Sequence, residues 1–360
     1  MNRMMKILVL GVLAFLSVVA KAQDVSYSQT YEAPVYLSPS FTGLTNGSRI
    51  GLNYRNQWPG IGTAFQNYAV TFDHFVDRFN SGVGLMWQCD NQGKGLLVDN
   101  EISFNYAYEF AVSQNLFIRP GIVFHFGQRK IDQSKMVSYT DITAEGHYVP
   151  GGSSIGIDRT KTNRLDAGAS VMVYNDDYWA GITVDHLMQP EVSFTDVKDV
   201  IGVKTTFFCG YKLTYEDSYR GSEPKTVTFA LNYKNQRSFN QLELGAYWYY
   251  NPIEIGVSYR GLFFKVSNEL SNYDAIIPNI GINVPNMPLR LGYSYDMTLS
   301  DVSSFGNGAH EVSLVYRLIP SDVRHRSYKM KPVPCTEPIM GYSYTGTGKK
   351  HGYNRKFLKK

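Results

Sequence analysis

Three cysteines in 360 residues, Cys89, Cys209 and Cys335, form neither a C-x-x-C nor any paired spacing, which excludes a disulfide-stapled scaffold. Beyond residue 22 the chain has no apolar run near the ~20 residues that a membrane-spanning helix needs. It also lacks a Gly-x-Ser-x-Gly elbow, a His-Glu-x-x-His pair and a glycine-rich phosphate loop, so the common hydrolase and nucleotide-binding chemistries have no foothold. His310 and Glu311 adjoin, but on a strand successive side chains point to opposite faces and cannot share a metal. The reading is of a chain with no enzymatic activity, no metal and no cofactor.

What is present begins with Arg3 and Lys6, an apolar run from Ile7 to Val19, and Ala20-Lys21-Ala22. A short basic region, a run too short to span a bilayer and a small-x-small end predict a secretory signal peptide over 1–22, cleaved after Ala22. No cysteine stands at the cleavage point, which argues against a lipoprotein. An exported chain has no nucleic acid to meet. Aromatic residues make up 14% of the sequence, with 27 tyrosines, yet the mean hydropathy is mildly negative. A barrel that confines its lipid-facing residues to alternate positions produces that combination.

The alternation is explicit. Ile102, Phe104, Tyr106, Tyr108 and Phe110 are separated by Ser103, Asn105, Ala107 and Glu109, and Leu289, Leu291, Tyr293 and Tyr295 by Arg290, Gly292 and Ser294. Period two puts the aromatics on one face and small or charged residues on the other. The second face, rich in Gly, Ser and isolated charges, suits a narrow lumen better than the outside of a soluble sandwich. About fourteen such runs are predicted, at 48–58, 65–77, 81–91, 97–110, 114–127, 163–175, 177–187, 200–215, 225–237, 238–250, 252–261, 275–284, 287–297 and 308–318. The longest connections, 128–162, 188–199, 262–274 and 298–307, all fall after odd-numbered strands, and tight turns such as Asn175-Asp176-Asp177 and Asn251-Pro252 after even ones. Long outer loops and short inner turns are the outer-membrane pattern. The fold class expected is therefore all-β: a transmembrane antiparallel barrel of about 14 strands over 48–318 in outer-membrane lipid, preceded by a periplasmic or lumenal segment 23–47 and followed by a basic disordered tail 319–360.

Parity directs a set of charges inward: Arg55, Glu101, Glu109, Asp166, Asp185, Glu243, Glu254, Arg260, Arg290, Asp296, Glu311 and Arg317. They can line a water-filled pore, or pair across a narrow barrel and close it, with 23–47 helping to fill the interior; closure is the reading preferred. The net charge of +4 hides an asymmetry. From Ile319 onward Arg324, Arg326, Lys329, Lys331, Lys349, Lys350, Arg355, Lys356, Lys359 and Lys360 face only Asp322 and Glu337, so the tail carries +8 and the rest −4. Pro332, Pro334 and Pro338 predict an extended segment. It reads either as a solvated linker or as an electrostatic dock for a periplasmic protein or anionic polymer.

Several blocks resemble the PorP/SprF proteins of type IX secretion and gliding motility: Ser28-Gln29, Ser38-Pro39-Ser40-Phe41-Thr42-Gly43, Tyr54-Arg55-Asn56-Gln57-Trp58, Leu165-Asp166-Ala167-Gly168, Tyr178-Trp179-Ala180-Gly181, Asp185-His186-Leu187-Met188-Gln189-Pro190, Gly256-Val257-Ser258-Tyr259-Arg260, Gly292-Tyr293-Ser294-Tyr295-Asp296 and His310-Glu311-Val312-Ser313-Leu314. Serine stands at 38 and 40 where the family usually has asparagine and alanine. The resemblance implies an outer-membrane component that assists export of surface proteins, such as large adhesins, or anchors a periplasmic ring of the machine. On this reading Arg55 is an inward anchor, and Trp58 stands near the headgroup girdle or makes a partner contact at the rim. The alternative function is a porin or hydrophobic-solute transport barrel.

Overall fold

The computed structural model describes residues 24–45, 47–60, 64–113, 115–136, 159–215, 225–237, 239–262, 273–285, 287–299 and 307–318. The predicted signal peptide 1–22, the centre of the longest loop and the tail 319–360 lie outside the described residues.

Alternating sequence becomes strand throughout. The strands are β1 (Ser48–Gln57), β2 (Phe65–Val76), β3 (Ser81–Gln92), β4 (Leu97–Tyr108), β5 (Phe110–Ala111), β6 (Phe117–Ile131), β7 (Lys161–Tyr174) and β8 (Tyr178–Asp185). They continue with β9 (Lys204–Tyr215), β10 (Lys225–Gln236), β11 (Phe239–Tyr250), β12 (Ile253–Gly261), β13 (Tyr273–Asn283), β14 (Leu289–Thr298) and β15 (Ala309–Leu318). Each pairs antiparallel with its neighbour, and β1 pairs with β15, which closes a barrel of 14 spanning strands. The two-residue β5 continues β4 past a break at Glu109, and β4 and β5 both pair with β6. The predicted strands all appear. The largest difference is β6, which starts three residues late and runs four residues further, to Ile131, because Gln128 to Lys130 keep the register opposite Lys161 to Asn163.

The distribution of polarity is that of a barrel in lipid. Ile102, Phe104, Phe124, Leu165, Ile255 and Leu291 are 43–64% exposed on the outer face. The inner face of the same strands buries Ser103, Asn105, His125, Arg164, Glu254 and Arg290. A soluble protein of this kind would expose an apolar belt around its whole circumference, far above the few hundred Å² that monomers tolerate. Among the described residues no helix is long and apolar enough to cross a membrane.

Both ends of the barrel chain, Ser48 and Leu318, lie side by side in the β1–β15 register and mark the terminus end. The connections 132–160, 186–203, 262–272 and 299–308 all lie at the opposite, long-connection end. Residues 24–45 form no strand. They lie inside the lumen as an extended stretch, one helical turn at Pro34–Leu37 and a 3-10 turn at Pro39–Phe41. Pro34 and Pro39 each occupy a first-turn position, where a missing N–H costs nothing.

Candidate functional site

The inner wall and the lumenal segment 24–45 are held together by four polar clusters. At the long-connection end Asp24 Oδ2 lies 2.6 Å from Lys204 Nζ and 2.8 Å from His186 Nε2. His186 Nδ1 is 2.6 Å from Asp166, and Lys204 is 3.4 Å from Asp185, which in turn meets His125 at 3.1 Å. Burial opposes charge on both Asp24 and His186. The surrounding opposite charges win: the Asp24 carboxyl is held well below its ordinary value, and Asp24 and Asp166 push the His186 imidazole up to about 9.

The second cluster surrounds Ser28. Its hydroxyl donates to Asp296 Oδ1 at 2.7 Å and accepts from Arg55 Nη1 and Arg260 Nη2, each at 2.7 Å. The N–H groups of Ser28 and Gln29 donate to the two oxygens of Glu311 at 2.7 and 3.0 Å. The Gln29 side chain donates to the Glu311 carbonyl and accepts from Ser313 Oγ. Arg55 and Arg260 also meet Asp296 at 2.7 and 2.8 Å, and Arg260 reaches Glu243 at 3.2 Å. All of these charges are buried, and every one has an ionic or hydrogen-bonded partner, the condition for tolerating charge out of water.

Lower down, Arg290 bridges Glu32 at 2.5 Å and Glu254 at 2.8 Å. At the terminus end Arg119, fully buried, donates to the carbonyls of Ser40 and Thr42 and meets Glu109 at 2.8 Å; Glu109 also accepts from Tyr174. The Gly43 N–H donates to Asp73, itself paired with Arg49. Gly43 has φ +73°, and a Cβ there would meet the Gly82 Cα at 2.7 Å, so glycine is required on both counts. Leu37, Phe41 and Leu44 pack against Phe117, Met172, Tyr174, Trp179 and Phe208 in an apolar cluster, with Tyr31 edge-on to Trp179 and Tyr247. Residues 24–45 are thus a plug, sealed with apolar contacts at one end and tied by ions along its length.

The structure brings together most of the charges that parity directed inward. Arg55, Arg260, Asp296, Glu311 and Glu243 share one cluster; Arg290 and Glu254 another; Glu109 sits at the base; Asp166 and Asp185 reach the Asp24 cluster; Glu101 meets Arg164 at 2.7 Å and His125 at 3.0 Å. Arg317 shares the inward parity at the terminus end and is half-buried there. The tail candidates from Arg324 to Lys360 lie outside the described residues. Arg49, Asp73, Asp99, Arg119, His125, Arg164 and Lys204 belong to the same network and were missed, although Asp99 shares strand parity with Glu101, and Arg164 with Asp166. Asp24 carried no such signal, since it stands on no strand, and alternation over the predicted strand 177–187 turned His186 outward, whereas the observed strand ends at Asp185. Trp58, just past the long-connection end of β1, stands at the rim and not on the outer girdle. With φ 56° and its N–H bonded to the Gly308 carbonyl, it turns inward over the lumen and packs on Phe65.

Between the plug and the wall, in the half of the lumen at the long-connection end, lies a cavity of about 560 Å³. Val35, Tyr36 and Pro39 of the plug floor it; Asn67, Asp90, Asp99, His125, Asp185 and Lys204 are among its walls. Among the described residues no group of three or more His, Cys, Asp or Glu is disposed to hold a metal ion.

The blocks singled out in the sequence meet on this plug: Ser28-Gln29 and Ser38 to Gly43 supply it, and Arg55, Asp166, Trp179, His186, Arg260, Asp296, Glu311 and Ser313 hold it. A profile of the family described as type IX secretion system membrane protein PorP/SprF matches residues 19–316. No curated protein matches the chain. Among solved structures, the Ralstonia pickettii toluene transporter TbuX is similar at 10% identity and a TM-score of 0.43, covering 79% of this chain and 91% of its own. The Acinetobacter baumannii outer membrane protein Omp33 is similar at 10% identity and a TM-score of 0.42, covering 77% of this chain and 100% of its own.

Proposed function

Given that the chain belongs to the PorP/SprF family of type IX secretion system membrane proteins, we propose that it serves that machinery as a plugged outer-membrane scaffold. In this reading it assists export of surface proteins, or anchors a periplasmic ring, through protein–protein contacts and not by conducting solutes. The observation that carries the proposal is the plug. Ion pairs of Asp24 and Glu32 and an apolar seal along residues 24–45 occupy the lumen where a porin needs water. Releasing the plug would take the Ser28 hydroxyl from Asp296, the Ser28 and Gln29 N–H groups from Glu311, Glu32 from Arg290 and two carbonyls from Arg119, and each buried charged group left short of a partner costs about 1–3 kcal/mol. The working surfaces are then the rim loops and the tail, with the terminus end facing the periplasm and the tail's +8 available to an acidic partner there.

The test is purification of the native complex from outer membranes, with recordings of the purified protein in planar bilayers. Type IX components should travel with it, and the bilayers should stay nearly silent. Large stable currents, with no machine component in the preparation, would return the solute-channel reading.

A further inference from the structure

We propose that the cavity above the plug is a binding site for an extended polypeptide segment, in which Asp90 receives a lysine or arginine side chain. The proposal deepens the protein-binding function proposed above and rests on it.

Asp90 and Asp99 stand directly opposite each other in the β3–β4 register, on the inner face. Like charges in that relation are destabilising, and sheets ordinarily avoid them. Only one of the two is neutralised. Asp99 meets Arg129 at 2.8 Å and Arg164 at 2.6 Å. Asp90 accepts from amides alone, Asn67 Nδ2 at 2.6 Å and Gln92 Nε2 at 2.7 Å, with no cationic nitrogen of the described residues within 4 Å. Everywhere else along this wall an acid is matched by a base, so the unmatched carboxylate on the cavity is a departure from the barrel's own pattern.

The surroundings select the ligand. Asn67 and Gln92 each give one amide N–H to Asp90, and the ionised carboxylate keeps further lone-pair sites that accept only, suited to a donor-only ammonium or guanidinium. A metal ion does not fit, since hard cations require several oxygen ligands around one point and no such group is present among the described residues. Further into the cavity Asn105 Nδ2 and Thr183 Oγ1 lack any partner, on side chains only 1% and 3% exposed. Buried polar groups are nearly always satisfied. Once these side chains turn toward the cavity, a backbone carbonyl and N–H of a bound peptide supply what the two lack. The precedent is adjacent: Asp24 to Gln29 runs extended along the opposite side of the same space, held by side chains that bind its N–H groups and hydroxyls. A cavity of about 560 Å³ beside it has room for a few residues of a second chain entering from the long-connection end.

Binding to the purified full chain is measured by fluorescence anisotropy with two labelled Gly/Ser peptides of equal length, one carrying two lysines and the other two glutamates. The lysine peptide should bind and the glutamate peptide should not, with affinity falling as salt is raised. Asp90→Asn, which relieves the like-charge pair and should preserve heat-modifiable migration, is expected to weaken binding about tenfold or more; Asp90→Glu should retain it. Equal binding of both peptides, unchanged affinity in Asp90→Asn, or displacement of the lysine peptide by the neutral sugar maltohexaose would overturn the site, the last in favour of saccharide recognition. The wild-type comparison carries the test if the variant does not fold. Absence of peptide binding with type IX components still co-purifying removes this site and leaves the scaffold function standing; the converse removes the scaffold function alone.

Discussion

Arg55 Nη1 donates to Ser28 Oγ at 2.7 Å, joining a β1 side chain to a plug residue 27 positions earlier. The same guanidinium reaches Asp296 and Glu311 from its other faces. Arg55→Leu leaves two buried carboxylates short of a cation and is expected to cost about 3–5 kcal/mol. The measurement is the temperature at which the folded gel band converts to the unfolded one, which should fall clearly. Arg55→Lys should recover little, because an ammonium cannot match the fork that binds Ser28 and Asp296 together. An unshifted transition in Arg55→Leu would show that the plug does not depend on this cluster.

The Asp24–His186 contact makes the outer end of the plug pH-dependent. His186 has a folded value near 9 against an ordinary 6.5. Its contribution is complete below about 6.5 and is lost as pH rises through about 9. Asp24 is shifted downward, so its contribution is present above its ordinary value and fades as pH falls through the depressed one. Asp166, Asp185 and Lys204 face the same pair and hold it in the intervening range. A spin label at Val25→Cys, in a background without other cysteines, should be immobile at pH 7 and looser at pH 10. In His186→Gln that difference should shrink; equal mobility at both pH values would refute the latch.

Gly121 lies under the plug's 3-10 turn, where a Cβ would come 2.6 Å from Ser40 N and 2.7 Å from Pro39 C. Both neighbours are backbone and cannot swing aside. Gly121→Ala is therefore expected to lift the base of the plug, lower the unfolding temperature and give brief bilayer currents. A silent, fully stable variant would mean that the seal has slack.

The face assignment is checked by charge at Leu291, 43% exposed on the outer wall. Leu291→Arg should destabilise the inserted barrel by about 2–4 kcal/mol, the cost of Arg at mid-membrane, while Leu291→Phe should be near neutral. Ser103→Arg on the inner face should also fail, for a different reason: Ser103 is fully buried and bonded to His125. Urea unfolding in lipid vesicles measures both.

Truncation after Pro320 removes the whole +8 segment and touches none of the described strands. The barrel should fold and insert as before while a periplasmic partner is lost from pull-downs, and raised salt should partly mimic that loss with the intact chain. Unchanged co-purification would move the contact to the rim loops.

The sequence by itself determined the barrel. Period-two alternation carries its own phase, so Ile102 to Phe110 or Leu289 to Tyr295 states which residues face lipid and which face inward without reference to any other strand. The connection lengths then order the strands. The plug was a different matter. That Ser28 lies between Arg55 and Arg260, that Glu311 grips two successive N–H groups, and that Asp24 reaches His186 and Lys204 depend on contacts between positions up to 283 apart in sequence. A segment without periodicity, such as 24–45, has no phase to read. Its path was decided only when the closed wall presented a fixed array of charges and glycines, and the one extended course that satisfied them all became the stable one.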